Sequence, residues 1–438
     1  MHTRKLNELE YMMWTLGQPS NISMAISIKG KIIPDDLRKA LDKIQTKHPA
    51  LRSQIYTDNQ NLPFMFWPEI ESIPLKIMNR ESSTQLYRIV ENEFTKEFEM
   101  GENCTKPLIR AILLQDDQFT DLILTLQHVI GDGMSMVFLF LDLFHFLSNP
   151  NRNPKILPLM KKLDEILPLH IQSKLPKTRF RFFCVYIGVK IIVGFRRFFS
   201  KLFSASREKP VIDIQNNQNQ KLCTYSWVFN TDQTKLFLKN CKSHNIKLHS
   251  AICTAFLPDF PIINSPVNLR RKLKQKIGGD VGLFAGGVIF KTKYDFSISF
   301  WKNAERFQKN LYNRLESKQI FQIYKLFSRV VPKDLIQKLS PLFVELRSRN
   351  QPFVVTNLGN LDLFSQFHEG EKSQKYELHN FFGGVSGTFN ALVLTVFTIR
   401  NQMHFHFHFY APLHSEEEIK KYVKKAQEIL SRAHVKLT

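Results

Sequence analysis

Paired cysteines are missing from this 438-residue chain. Its five, Cys104, Cys184, Cys223, Cys241 and Cys253, are odd in number and form neither a C-x-x-C pair nor a zinc spacing. That argues against a disulfide scaffold or zinc knuckle, and reduced thiols in a cytoplasmic protein are expected. Long apolar runs are missing too. The start, MHTRKLNELEYMMWTLGQ, is interrupted by Arg4, Lys5, Glu8 and Glu10, which leaves no stretch of signal-peptide length, so export is not expected. There is no low-complexity tract and no repeat of solenoid length. Acids are scarce, with 39 Asp and Glu against 61 Lys and Arg, a formal charge of +22. Such a surplus suits nucleic acid, an anionic membrane or an acidic protein partner, and charge alone does not choose among them.

A hydrophobic fraction of 43% and a charged fraction of 23% are those of a globular protein. The length fits two domains of roughly 200 residues. Almost half of the excess charge lies between Lys174 and Lys209, where ten Lys or Arg stand against Glu208 alone and interleave with FRFFCVYIGVKIIVGFRRFF.

Alternation in NISMAISIKGKI predicts a strand, Pro34 opens a helix carrying Leu37, Leu41 and Ile44, and LRSQIY after Pro49 reads as a strand. A helix is expected across Ser83 to Phe98, then a hairpin of PLIRAILLQ and DLILTLQH around Asp116 and Asp117, then the buried helix MSMVFLFLDLFHFL. The second half opens with strand KLCTYSWVF, a helix capped by Thr231, and the helix LHSAICTAFL. VGLFAGGVIF, QPFVVTNLG, ALVLTVFTIR and MHFHFHFY read as strands, and SEEEIKKYVKKAQEILSRA as a closing amphipathic helix.

The sharpest feature is Gln127, His128, Val129, Ile130, Gly131, Asp132, Gly133. A histidine at the end of a buried strand, before a glycine-flanked turn, can present its imidazole to a cavity while the backbone admits a substrate closely. Neutral imidazole there could take a proton from an alcohol or amine attacking a thioester and return it to the leaving thiolate. The same pattern also fits a histidine that merely satisfies a strand-end hydrogen bond. Asp132 lies in an apolar context, so it needs a cation, plausibly an arginine, and reads as structural.

Several segments in order resemble one superfamily: nonribosomal-peptide condensation domains, plant BAHD acyltransferases, alcohol acetyltransferases and phthiocerol dimycocerosyl transferases. QHVIGDG matches its H-H-x-x-x-D-G motif, with Gln127 in place of the first histidine and His128 in place of the second, which the family uses for chemistry. The opening segment, with the turn H-P-x-L-R at His48 to Arg52, is similar to the family's first strand and helix. SPVNLRRKL followed by VGLFAGGV resembles the stretch whose arginine reaches the active-site aspartate, which makes Arg270 the expected partner of Asp132. VVTNLGNLD resembles the S-N-L-G segment, which points to Asn357, with Gln127, for positioning substrate or oxyanion. Gly133 is expected to support the active-site turn. The plant D-F-G-W-G motif is absent, and the phthiocerol and alcohol transferases are the nearer likeness.

The resemblance implies an α/β fold of two chloramphenicol-acetyltransferase-like halves, each a mixed sheet with helices on one side, forming a pseudo-dimer around a central tunnel. Residues 1–170 would be the first half, 171–215 a basic connector and 216–438 the second half. The implied reaction moves an acyl group from a coenzyme A or carrier-protein thioester to an alcohol, with amide formation and an inactive acyl-, carrier- or membrane-binding scaffold as the other readings. No permanently bound cofactor and no metal is implied. A monomer is expected, without nucleic acid, with an acidic acyl carrier protein as one partner and peripheral contact at the inner face of an anionic membrane as another.

His404, His406 and His408 share one strand face and could hold a metal, but a polar face turned to solvent needs none. Gly383, Gly384 and Gly387 lack the lysine and helix signature of a phosphate loop. The Lys174–Lys209 connector, whose longest uncharged run is Phe182 to Val189, is too short of apolar length to cross a bilayer. It reads either as an interfacial helix or as a crossover helix packed on the protein.

Overall fold

Strands and helices follow one another as the alternation and capping signals direct, in a computed structural model that describes residues 2–15, 17–160, 163–167, 221–274, 277–316, 352–362, 376–386, 391–411 and 413–433. The first part of the chain holds β1 (Thr3–Lys5), α1 (Glu8–Thr15), β2 (Asn21–Lys29), α2 (Pro34–Lys47), β3 (Gln54–Thr57), β4 (Pro63–Phe66), β5 (Leu75–Asn79), α3 (Gln85–Thr95), β6 (Ile109–Gln115), β7 (Phe119–Gln127), α4 (Gly133–Ser148) and the short α5 (Leu163–Ile166). The second holds β8 (Lys221–Phe229), α6 (Thr231–Ser243), α7 (Leu248–Phe256), β9 (Ile262–Asn268), β10 (Ala285–Lys291), α8 (Phe300–Glu316), β11 (Phe353–Asn360), β12 (Glu377–Val385), β13 (Val393–Ile399), β14 (Gln402–Ala411) and α9 (Glu416–Arg432). The basic connector lies outside the described residues.

Two large mixed sheets result, in the orders β12-β2-β7-β6-β5 and β10-β9-β11-β13-β14-β8, with β1-β4-β3 as a small third. Period-two alternation sorts the first sheet. Ile22, Met24, Ile26 and Ile28 of β2 join Leu122, Leu124 and Leu126 of β7 beneath α2 and α4. Ala25, Ile123, Ile112 and Leu114 point the other way, onto Leu86, Val90 and Phe94 of α3. Helices therefore cover both faces of this sheet, not one. The reason is that α3 also packs on the second sheet, through Leu222 of β8 and Tyr410 of β14. Glu91 of α3 accepts the Thr224 amide hydrogen at 3.0 Å, which fastens that contact.

The second sheet lays Met403, Phe405, Phe407 and Phe409 of β14 against α7 and α9, where Ile252, Phe256, Ile419 and Val423 complete a core. The opposite face of β14 carries the histidines, and the structure corrects the solvent-facing expectation. His406 and His408 are buried because that face abuts α3 and β12. His408 Nδ1 lies 2.9 Å from Thr224 Oγ1, its ring meets Phe94, and His406 sits between Phe382 and Phe397. Among the described residues no group of three ligating side chains could hold a metal.

Strand β12 comes from late in the sequence yet pairs antiparallel with β2, completing the first sheet's edge. Gly383 and Gly384 make this possible. Gly383 has φ +142°, and a Cβ there would lie 2.4 Å from Ser23 O, while one on Gly384 would lie 2.2 Å from His408 Nε2. These glycines serve packing, and Gly387 falls outside the described residues. The α6 cap is also shifted by one residue. Asn230, in extended conformation, accepts from the Gln233 amide and forms a capping box, so Thr231 is the first helical residue.

Burial lowers the His404 and His408 pKa values to about 4 and about 3 and holds His406 well below its ordinary range. The unfolded chain therefore takes up protons first as pH falls below about 6.5, so the stability these neutral rings allow is present above that pH and lost on the way down. The melting temperature is expected to fall steadily from pH 7 to pH 4.5, each such ring contributing up to about 1.4 kcal/mol per pH unit. His406→Phe should flatten that curve in a calorimetric titration; an identical curve would remove His406 as a source of the pH dependence.

Candidate active site

Strand β7 delivers Gln127 and His128 to the edge of the β2–β7 pair, where the His128 amide donates to Ser20 O at 2.8 Å. A tight turn follows, closed by the Ile130 amide on Gln127 O at 3.1 Å. Gln127 is buried, and its Oε1 accepts from the Val129 amide, so this side chain stiffens its own turn. His128 is 8% exposed. Its Nδ1 lies 2.9 Å from Gly131 O. A carbonyl only accepts, so Nδ1 carries the proton and Nε2 is left with its lone pair. Burial lowers the His128 pKa, against the opposing pull of the backbone contacts and Asp132, so the ring stays neutral.

The turn is tight at Gly131, where a Cβ would stand 2.4 Å from Leu126 Cδ2. Asp132 then caps α4 in a capping box with Ser135. Its Oδ1 accepts from Ser135 N at 2.8 Å, Ser135 Oγ at 2.9 Å and Arg270 Nη2 at 3.1 Å; its Oδ2 accepts from Arg270 Nη1 and Phe284 N, both at 2.9 Å. Asp132 is 2% exposed and Arg270 4%. Burial alone would raise the Asp132 pKa, but the Arg270 guanidinium and these donors hold it below the usual carboxylate range. With its lone pairs so occupied, this carboxylate has no capacity left to move a proton. Arg270 is further fixed by Ser135 Oγ at 2.9 Å, by the carbonyls of Asp280 and Gly282, and by the rings of Phe138 and Phe284.

Asn357 arrives on β11, half-buried, at a register irregularity before Gly359, whose φ is +81°. Its Oδ1 accepts from the Gly359 amide at 2.8 Å. The next residue, Leu358, approaches the motif directly: a Cβ on Gly133 would lie 3.2 Å from Leu358 Cδ2. The structure thus gathers His128, Asp132, Gly133 and Arg270 at one place, with the Asn357 segment beside Gly133. Sequence reasoning missed Ser135, the Phe284 amide and the Gly282 carbonyl. Only Ser135 had a legible signal, the D-x-x-S spacing of a capping box.

The model of the Condensation domain matches residues 12–160, which contain the β7–α4 motif. Across 98% of the chain the backbone superposes on trichothecene 15-O-acetyltransferase TRI3 of Fusarium sporotrichioides, covering 95% of that chain at a TM-score of 0.68 and 13% identity. This is the fold of the condensation-domain, chloramphenicol-acetyltransferase-like superfamily. Polyketide synthase associated protein 5 of Mycobacterium tuberculosis is similar over 98% of both chains, at a TM-score of 0.65 and 14% identity. In sequence, a linear gramicidin synthase of Brevibacillus parabrevis is 30% identical over 131 residues, 28% of this chain and 2% of that much longer protein. Within this condensation-domain fold, the matched stretch carries His128 and Asp132, while Arg270 and Asn357 lie beyond it.

Asp132→Ala leaves the Arg270 guanidinium buried and uncompensated, a loss of about 3–5 kcal/mol. Chemical denaturation should register it together with any loss of activity. A variant that is inactive yet fully stable would contradict the structural role of this pair.

Proposed function

We propose that the chain transfers an acyl group from a coenzyme A or carrier-protein thioester to an alcohol, with His128 as general base. The observation that carries this reading is the His128 tautomer: Nδ1–H held by Gly131 O, Nε2 unprotonated, and the ring buried and neutral. In the proposed step Nε2 takes the hydroxyl proton as the acceptor oxygen attacks the thioester carbonyl and the C–O bond forms. The C–S bond then breaks, and the thiolate leaves with the proton from Nε2–H. The Asn357 oxygen is engaged by Gly359, so its NH2 end is the part suited to donate to the oxyanion between these steps. Gln127 acts through the turn, and Asp132 and Arg270 hold the loop. No resident cofactor is called for, since the thioester is a co-substrate.

The basic surplus suits the phosphates of coenzyme A or an acidic carrier protein. Among the described residues no helix is long and apolar enough to cross a membrane, and a peripheral anionic contact through residues 174–209 remains part of the proposal. An O-acetyltransferase superposes over nearly the whole chain, which favours ester formation. Amide formation is the second reading, favoured by the sequence match to a gramicidin synthase.

Replacing His128 with Ala should lower thiol release from an acyl thioester, in the presence of an alcohol or amine acceptor, by about 10²- to 10⁴-fold with folding retained. Equal turnover would leave the chain a binding scaffold or give the proton to another group. Since the ring pKa is depressed, the base form persists as pH falls, and the acid limb of kcat/KM should lie below the ordinary histidine value of about 6.5. A limb above that value would contradict a buried neutral base.

A further inference from the structure

Away from the motif turn, a groove of about 750 Å³ lies between the β10–α8 loop, the first turn of α8, the end of α6 and the last turn of α9. Its size falls in the range of roughly 300–1,000 Å³ that suits small organic ligands. Strand β10 starts beside Phe284, whose amide donates to Asp132, and runs for seven residues, about 20 Å, before the loop that borders the groove. His128 is not among the lining residues.

Five rings stand in the wall: His244, Tyr294, Phe296, Phe300 and Trp301. His244 and Trp301 lie parallel with centroids 4.2 Å apart, and the Tyr294 and Phe296 centroids are 4.9 Å apart. Phe296 is 75% exposed, against the ordinary burial of phenylalanine. Its loop is nonetheless fastened. The Asp295 amide donates to Asn303 Oδ1 at 2.9 Å, and Nδ2 of Asn303, which is buried on α8, donates back to Asp295 O at 2.8 Å. The open ring is therefore held beside Tyr294, with apolar surface that only an occupant would cover.

The charges around the groove leave one cation uncancelled. Lys302 meets Glu305 at 3.1 Å, and Arg306 meets Asp295 at 3.1 Å. On α9 the pairs run from Lys420 to Glu416 and from Lys425 to Asp259, which leaves Arg432 without an ion pair among the described residues. Arg432 is exposed and lines the groove near Tyr294, whose phenol pKa burial pushes up while the guanidinium opposes the rise. A cationic ligand would be repelled by Arg432, and a neutral one would leave its planar fork of donors unused. A carboxylate accepts two of those N–H groups at once. A flat ring packs against aromatic walls in stacked or edge-on contact and has few rotations to lose, which a flexible chain does not match. We propose that this groove binds a planar aromatic carboxylate, at a site separate from His128.

Equilibrium dialysis of the full chain against naphthoate tests this, with naphthalenemethanol, naphthylmethylamine and decanoate as the other arms. Naphthoate should bind saturably. The alcohol and the amine, which lack the charge that Arg432 meets, should bind about tenfold more weakly or worse, and so should decanoate, which has the charge without the plane. Arg432→Gln should weaken naphthoate about tenfold and leave naphthalenemethanol unchanged, while Phe296→Ser should weaken both; the two positions are exposed, so the fold is retained. Absence of saturable naphthoate binding would overturn the proposal. Equal binding of the alcohol, the amine or decanoate would overturn it too. Naphthoate binding that neither substitution alters would put the ligand elsewhere on this basic chain and end the proposal for the groove.

Discussion

Everything around His128 depends on the buried pair of Asp132 and Arg270. Taking both charges out of water costs several kcal/mol per ion, and attraction alone offsets this only when the remaining lone pairs and protons are also satisfied. On the carboxylate they are: Asp132 accepts from two Ser135 donors, two Arg270 nitrogens and the Phe284 amide, while Arg270 keeps one buried N–H, at Nε, without a partner. These partners come from the start of α4, from the turn after β9 and from the loop before β10. The motif turn is therefore held by segments from both large sheets, and neither could set its geometry alone.

A second constraint brings those sheets into register. Helix α3 is shared, with Val90 and Phe94 facing the first sheet and its Glu91 carboxylate taking the Thr224 amide of β8. Strand β12 does the same from the other direction, pairing with β2 while Gly384 admits the imidazole of His408. Burying imidazoles at this junction makes its packing dependent on their staying neutral, which links the junction to pH. A junction of leucines would have no such dependence.

Much of the site was legible because its local and long-range signals agree. The glycine-flanked turn after an apolar strand located His128, an aspartate in apolar surroundings demanded a cation, and the N-L-R resemblance supplied Arg270. The histidine strand was legible only in part. Alternation in MHFHFHFY separates two faces but cannot say what covers the polar one, since Phe94 and Phe382 come from distant segments. Strand β12 was hidden for a related reason. FFGG reads locally as a loop, and it can pair with β2 as a strand because Gly383 lacks the side chain that would collide with the backbone of Ser23 and Met24. The short β1, β4 and β5 carry too few residues for a periodic signal.

The pair also bears on the protonation state of His128, the base of the proposed reaction, without supplying a proton itself. A carboxylate four residues from an imidazole ordinarily raises the proton affinity of that ring, which would leave His128 cationic and useless as a base. Asp132 does pull in that direction, but Arg270 and the amide donors absorb its charge, and desolvation wins. The Gly131 carbonyl then fixes which nitrogen holds the proton. Neutrality and tautomer are thus set by two separate devices, one electrostatic and one geometric, and a proton acceptor at Nε2 requires both.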